Sequence, residues 1–325
     1  MAFFAAGAIL FAAFLWALDG VLLTPWVLDL GLSDVPTFVF MLHAVSSLFL
    51  LYFFFSRKHE LARLQKKDWI SFSLVGIFGG AAGTMAIIGA IIFVYTNGLN
   101  IAVVLLIQKL QPIFAILLAY LLLKERPKKP FYLWALIALL GSYFLTFGFE
   151  KPNLNAEGML TPALLALLAA FSFGSSTVFS KSAIAKVSHG LGTALRFTIT
   201  TGIMAIIILI IALLNSLDIH TGYAGFSGFS VLSWNIIFAF VVIALTTGGT
   251  AIFIYYWGLK RVTASRSIIY EMMFPVSAIV LEYFIHDKGL TLAQWIGAIL
   301  VLGAILVIAN MKSQISATAP QIEKG

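Results

Sequence analysis

Apolar runs of about twenty residues, separated by short polar links, recur along the 325-residue chain. A helix rises about 1.5 Å per residue and the hydrocarbon core of a bilayer is about 30 Å thick, so each run can cross a membrane. The pattern predicts ten spans, at about 3–23, 35–55, 69–95, 98–121, 130–149, 160–180, 191–213, 234–257, 262–286 and 291–310. The longer links, such as TPWVLDLGLSDVP, EKPNLNAEGMLTP and NSLDIHTGYAGFSGFS, combine Gly, Pro, Asn and Asp, the residues of turns. Pro36, Pro130 and Pro162 fall near helix starts, where a missing N–H costs little. The first run, MAFFAAGAILFAAFLWALDGVLL, has no basic n-region and no A-x-A cleavage site, so it reads as a retained helix.

Composition removes the soluble alternatives. The chain is 61% hydrophobic and 10% charged, with a mean hydropathy of +1.04. Soluble domains carry about 25% charged residues, so lipid is the expected solvent here. The net charge of +7 is not interleaved with aromatics in one patch, and nucleic acid is not an expected partner. The basic residues sort by link instead. Of 20 Lys and Arg, 15 fall in the even-numbered links and the C-terminal tail, Lys151 and Lys288 fall on the other side, and Lys109, Arg196 and Arg266 lie inside spans. The positive-inside rule then places both termini in the cytoplasm, and the plasma (bacterial inner) membrane is the expected location. There is no cysteine, no HExxH pattern and no GxxxxGK[ST] motif, which argues against a metal site, a cofactor, an enzyme or an ATP-driven pump.

The chain repeats itself. GAIIFVYTNGL (89–99) aligns without a gap on GTAIFIYYWGL (249–259), AAFLWALDGVL (12–22) on AAFSFGSSTVF (169–179), and QKLQPIFAILLAY (108–120) on EMMFPVSAIVLEY (271–283). Each half holds five spans. Five is odd, so the second half enters the membrane inverted. The expected domains are residues 1–150 and 151–312, followed by a disordered cytoplasmic tail at 313–325. These features, with FLWALDGV in the first span, a proline in the fourth and ninth, and LLLKERP closing the fourth much as the family's Leu-Gly-Glu-Arg ending does, make the chain resemble the EamA-type proteins of the drug/metabolite transporter superfamily. The resemblance covers nearly the whole chain. It implies a small-solute carrier, often an exporter of amino acids or related metabolites. Where that family often has an arginine early in the second span, this chain has His43; only the second half has its counterpart, Arg196.

Charges inside spans are the candidate chemistry, because each costs roughly 2.5–3.5 kcal/mol at a helix centre. The repeat brings Lys109 and Glu271 to similar depth on pseudo-symmetric helices. With Gln108, Gln111, Tyr270 and Trp16 they could bind a zwitterion, the lysine taking a carboxylate and the glutamate an ammonium. The alternative is that Lys109 and Glu271 pair with each other and fix the two helices, although such a pair rarely stabilises a fold better than apolar packing. Asp19 and His43 could form a proton relay between neighbouring helices, or His43 could simply bond Asp19 or a backbone carbonyl. Arg196 could line an inner vestibule or snorkel to headgroups. Pro112 and Pro275 could kink their helices as gating joints or only shape the bundle. The glycines Gly76, Gly79, Gly80, Gly83, Gly248 and Gly249 read as sites of close helix packing.

The expectation is therefore a secondary transporter, monomer or homodimer, that moves a small polar or zwitterionic, amino acid-like metabolite by alternating access. Export and proton coupling are expected with it. An uncoupled channel or facilitator for a small organic solute is the alternative.

Overall fold

The computed structural model describes residues 2–99, 101–152, 157–287 and 289–311. The expected tail at 313–325 lies outside them, as do Lys288, Lys312 and Lys324. Ten apolar helices have the length to cross a bilayer among the described residues: α1 (Phe3–Asp29), α2 (Val35–Ser56), α3 (Lys66–Thr96), α4 (Ile101–Leu122), α5 (Lys129–Phe147), α6 (Leu160–Ala183), α7 (His189–Ser216), α8 (Trp234–Leu259), α9 (Ala264–Ile285) and α10 (Leu292–Asn310). The described structure is all helical, with short 3-10 turns in the links after α2 and α7.

Packing follows the repeat. Helices α2 and α7 pack together, as do α5 and α10, and each pair consists of mates from the two halves. The α3–α6 contact is matched by α8–α1, and α4–α6 by α9–α1. These are the exchanges expected of two inverted five-helix repeats around a pseudo-two-fold axis in the membrane plane. Large apolar side chains such as Phe3, Phe4, Phe55 and Trp234 are left exposed on the outside of the bundle, where lipid would cover them. Small residues let backbones close in between. A Cβ added at Gly80 of α3 would fall 2.1 Å from the Thr200 hydroxyl oxygen of α7, so no other residue fits there without displacing α7.

Five helices are not regular. Helix α1 has a π-helical segment at Asp19–Leu23 and α3 another at Val75–Ala82. Helix α8 is interrupted by a turn at Thr246–Gly248, α4 at Lys109–Leu110 and α9 at Glu271–Met272. The last two interruptions precede Pro112 and Pro275 by a few residues. A proline supplies no N–H for the carbonyl one turn earlier, and the local backbone closes with shorter loops instead: Ile113 N–H donates to the Leu110 carbonyl, and Phe274 N–H to the Glu271 carbonyl. The prolines therefore do break their helices. The break falls at the charged residue itself.

At the end of the bundle that carries the links after even-numbered helices, the halves are tied by side chains docked on helix ends. The Glu125 carboxylate, just beyond α4, accepts from the backbone N–H of Ala264 (2.8 Å) and Ser265 (2.9 Å) and from the Ser265 hydroxyl (2.6 Å), capping the start of α9. Glu60 accepts from the N–H of Ser188, which itself caps α7. Lys186 pairs with Asp68 at 2.7 Å, and within the second half Lys181 donates to the carbonyls of Leu259 and Lys260. At the opposite end, Asp34 caps α2 through Thr37 and also accepts from Ala224 N–H, across the halves.

Candidate functional site

A cavity of about 980 Å³ lies between the halves, lined by residues from all ten helices. Its mouth is at the end carrying the links after odd-numbered helices, where Ser33, Tyr95, Thr96, Leu290 and Gln294 contribute. Its floor is formed by Ser180, Arg196 and Tyr255, and no lining residue comes from the described links at the other end. The cavity is thus open on one side and closed on the other by the carboxylate latches described above.

Glu271 organises the polar belt. The turn at Glu271–Met272 lets the carboxylate face the cavity, where Oε1 accepts from Tyr255 Oη (2.7 Å), Ser267 Oγ (3.2 Å) and Thr177 Oγ1 (3.4 Å). Its other oxygen accepts from Gln111 Nε2 at 3.1 Å, and the Gln111 carbonyl oxygen accepts from Gln108 Nε2 at 3.3 Å. One face of the Tyr255 ring is met by Trp16, with ring centroids 5.2 Å apart. Across the cavity the Lys109 ammonium sits 3.7 Å from the centroid of the Phe274 ring. That contact is a cation–π interaction, worth roughly 0.5–2 kcal/mol.

Lys109 and Glu271 therefore share one chamber. They do not pair: among the described residues the ion pairs within 4 Å are Arg57–Glu60 and Lys186–Asp68. The Asp19–His43 relay is not formed either. Asp19 accepts from Thr24 (3.1 Å) and, across the halves, from Thr247 in the α8 interruption (2.8 Å). The His43 ring bonds the Val39 carbonyl through Nδ1 at 2.8 Å and packs on Phe197, so the backbone carbonyl of its own preceding turn has captured it. Tyr270 is 2% exposed within the apolar core and does not line the cavity. A continuous helix would set Tyr270 on one stripe with Glu271 and Phe274, but the turn after Tyr270 re-aims the residues beyond it. Arg196 does line water-accessible space, but at the floor of a cavity that opens at the opposite end from the expected inner vestibule. Pro275 reaches the lining, whereas Pro112 is buried behind it.

Sequence reasoning missed Tyr255, Thr177 and Thr247. A signal existed for two of them. The repeat aligns Tyr255 with Tyr95, and FSFGSST (171–177) is an unusually hydroxyl-rich stretch for a membrane span.

Comparison with known proteins fits this geometry. The family model described as the EamA-like transporter family matches residues 3–147 and 160–310. The chain is 40% identical over 303 residues to the riboflavin transporter ImpX of Fusobacterium nucleatum subsp. nucleatum, covering 92% of this chain and 95% of that protein. It is 28% identical over 262 residues to an uncharacterized transporter of Synechocystis sp., covering 78% and 70%. A solved crystal structure superposes with a TM-score of 0.63 at 19% identity over 94% of this chain and 97% of that one, which supports the fold alone. A ten-helix membrane bundle built from two inverted halves, with a solute-sized chamber between them and this match along both halves, belongs to the EamA-like transporter family.

Proposed function

We propose that the protein carries riboflavin, or a flavin closely similar to it, across the plasma membrane by alternating access. The observation that carries this reading is the match between a near full-length relative named for riboflavin transport and the character of the chamber. At about 980 Å³ the cavity stands at the upper end of the roughly 300–1,000 Å³ usual for small-molecule sites, far larger than an amino acid requires. Its walls are mostly apolar, with Ile87, Ile88, Ile91 and Ile92 along α3 and Phe274 and Trp16 facing a polar belt. A fused three-ring system with a polyol tail suits such walls: the rings lie against aromatic and aliphatic side chains, while hydroxyls meet Lys109, Gln108 and Gln111. The EamA-like halves, residues 1–150 and 151–312, would rock about the level of Lys109 and Glu271, with the breaks before Pro112 and Pro275 as joints.

With both termini cytoplasmic, as the basic links imply, the mouth faces outward. Alternating access is reversible, so net direction follows the gradients, and protons could enter through Asp19 or Glu271. A second reading keeps the amino acid-like zwitterion. Its support is that Lys109 and Glu271 lie in one chamber unpaired with each other.

Proteoliposomes separate the readings. Purified protein should give saturable riboflavin uptake that unlabelled riboflavin competes and a twenty-amino-acid mixture does not. Saturable amino acid exchange with no riboflavin flux would replace the first reading by the second. Linear, unsaturable flux of either would indicate a channel.

A further inference from the structure

We infer that the floor of the cavity, at Arg196 and Ser176, is a binding site for an oxyanion, a phosphate or carboxylate group. Arg196 is only 9% exposed. Two of its nitrogens make long contacts of 3.4 Å, to the Tyr256 hydroxyl and the Gly79 carbonyl, and Nε has no hydrogen-bond partner. No carboxylate among the described residues lies within 4 Å of it. The carboxylates that line the chamber, Asp19, Asp29, Glu271 and Glu282, can be neutralised by taking a proton. A guanidinium cannot lose one in a protein, so the charge on Arg196 is permanent. A permanent, buried, unpaired charge at membrane depth calls for a counter-charge from elsewhere.

Ser176 supplies the second observation. It is 3% exposed, its hydroxyl also lacks a partner, and it lines the same cavity. The two groups meet over Gly79, in the π-helical segment of α3: a Cβ built there would lie 2.0 Å from Ser176 Oγ and 3.1 Å from Arg196 Nη2. The open Nε, the weakly engaged Nη atoms and the free hydroxyl form a cluster of donors with no anionic acceptor. Guanidinium forks match the paired oxygens of phosphate and carboxylate.

The repeat explains the unmatched charge. The alignment of 12–22 on 169–179 sets Ser176 opposite Asp19. Where the first half has an acid, the second half has a serine beside an arginine, so the acid is left to be delivered in solution. It could come as the anionic tail of the transported solute or as a separate small ion. The site stands on geometry independent of the flavin reading.

The test uses the full chain purified in detergent. Its thermal midpoint is followed while sodium phosphate replaces sodium chloride at constant ionic strength. Phosphate at millimolar concentration should raise the midpoint by several degrees. The shift should vanish in Arg196→Gln and also in Ser176→Asp, where an internal carboxylate occupies the place of the anion and should itself raise the midpoint without phosphate. Flavin titrations then separate the sources. Flavin mononucleotide binding at least tenfold tighter than riboflavin, lost in Ser176→Asp, assigns the anion to the solute. Equal flavin affinities with an intact phosphate shift assign it to a co-ion. Absence of a phosphate-specific shift together with no preference for the mononucleotide overturns the proposal, as does a shift that survives Ser176→Asp. A phosphate shift without any flavin binding would leave the anion site standing and remove the flavin reading alone.

Discussion

Lys109 presents its ammonium to the ring of Phe274 inside a chamber that also holds the carboxylate of Glu271. A cation–π contact of roughly 0.5–2 kcal/mol falls short of the roughly 2.5–3.5 kcal/mol that a lysine costs at a helix centre. The deficit is tolerable because the chamber is open to water, and it makes Lys109 a natural partner for an acceptor on the solute. Lys109→Met should insert and fold as the parent does while losing at least tenfold in solute affinity; isothermal titration showing parental affinity would remove Lys109 from the site. Glu271→Gln keeps the shape and most hydrogen-bond partners but removes the charge. It should lower the rate of counterflow at least tenfold and flatten its dependence on pH, and an unchanged pH profile would exclude a coupling role. These two residues, with Gln108 and Gln111, were legible in the sequence because polar groups stand out in an apolar run. Tyr255, Thr177 and Ser176 left only weak traces, a repeat-aligned tyrosine and a hydroxyl-rich stretch, since only tertiary packing decides which face such residues occupy. His43 shows the reverse failure: a polar residue conspicuous in the sequence is satisfied locally by the carbonyl of Val39.

Among the elements, irregularity is concentrated where function is expected. Proline announced the breaks in α4 and α9. Nothing of comparable strength announced the π-helical segments of α1 and α3, because a π-helical turn inserts one residue without any signature composition. The glycine run of α3 was legible as a packing surface, and its reason is steric. Gly80→Val should drive a branched side chain into Thr200 and destabilise the fold by about 1–3 kcal/mol, which denaturation in mixed micelles would measure; parental stability would show that α3 and α7 can separate freely. The latches were not legible as a set, since each carboxylate looks like one more surface charge until its partner backbone is known. Glu125→Ala leaves two N–H groups at the start of α9 uncapped, at about 1 kcal/mol. That should shift the population toward a state open at the even-link end. The native chain has no cysteine, so a single cysteine placed at Ser180 reports the change through its rate of alkylation from each side. An unchanged ratio of the two rates would show that Glu125 does not hold that end closed.

For the whole molecule, the ten spans and the inverted halves were legible almost entirely, because hydrophobic length and an internal repeat are one-dimensional signals. The chamber was legible only as a level in the membrane. Its volume and its apolar walls depend on tertiary packing, and together with the named relative they support the move from a small zwitterion toward a planar ring system. Orientation rests on the basic links, and a periplasm-only reporter fused after Met311 should stay silent, whereas activity there would invert the assignment. The most direct test of the central claim is a fluorescence titration of riboflavin with the purified protein. Stacking near Trp16 and Tyr255 predicts saturable quenching at one flavin per chain, abolished in Lys109→Met and indifferent to added amino acids. Linear quenching, or saturable quenching that persists unchanged when Lys109 is replaced, would contradict a flavin held in the chamber between the halves.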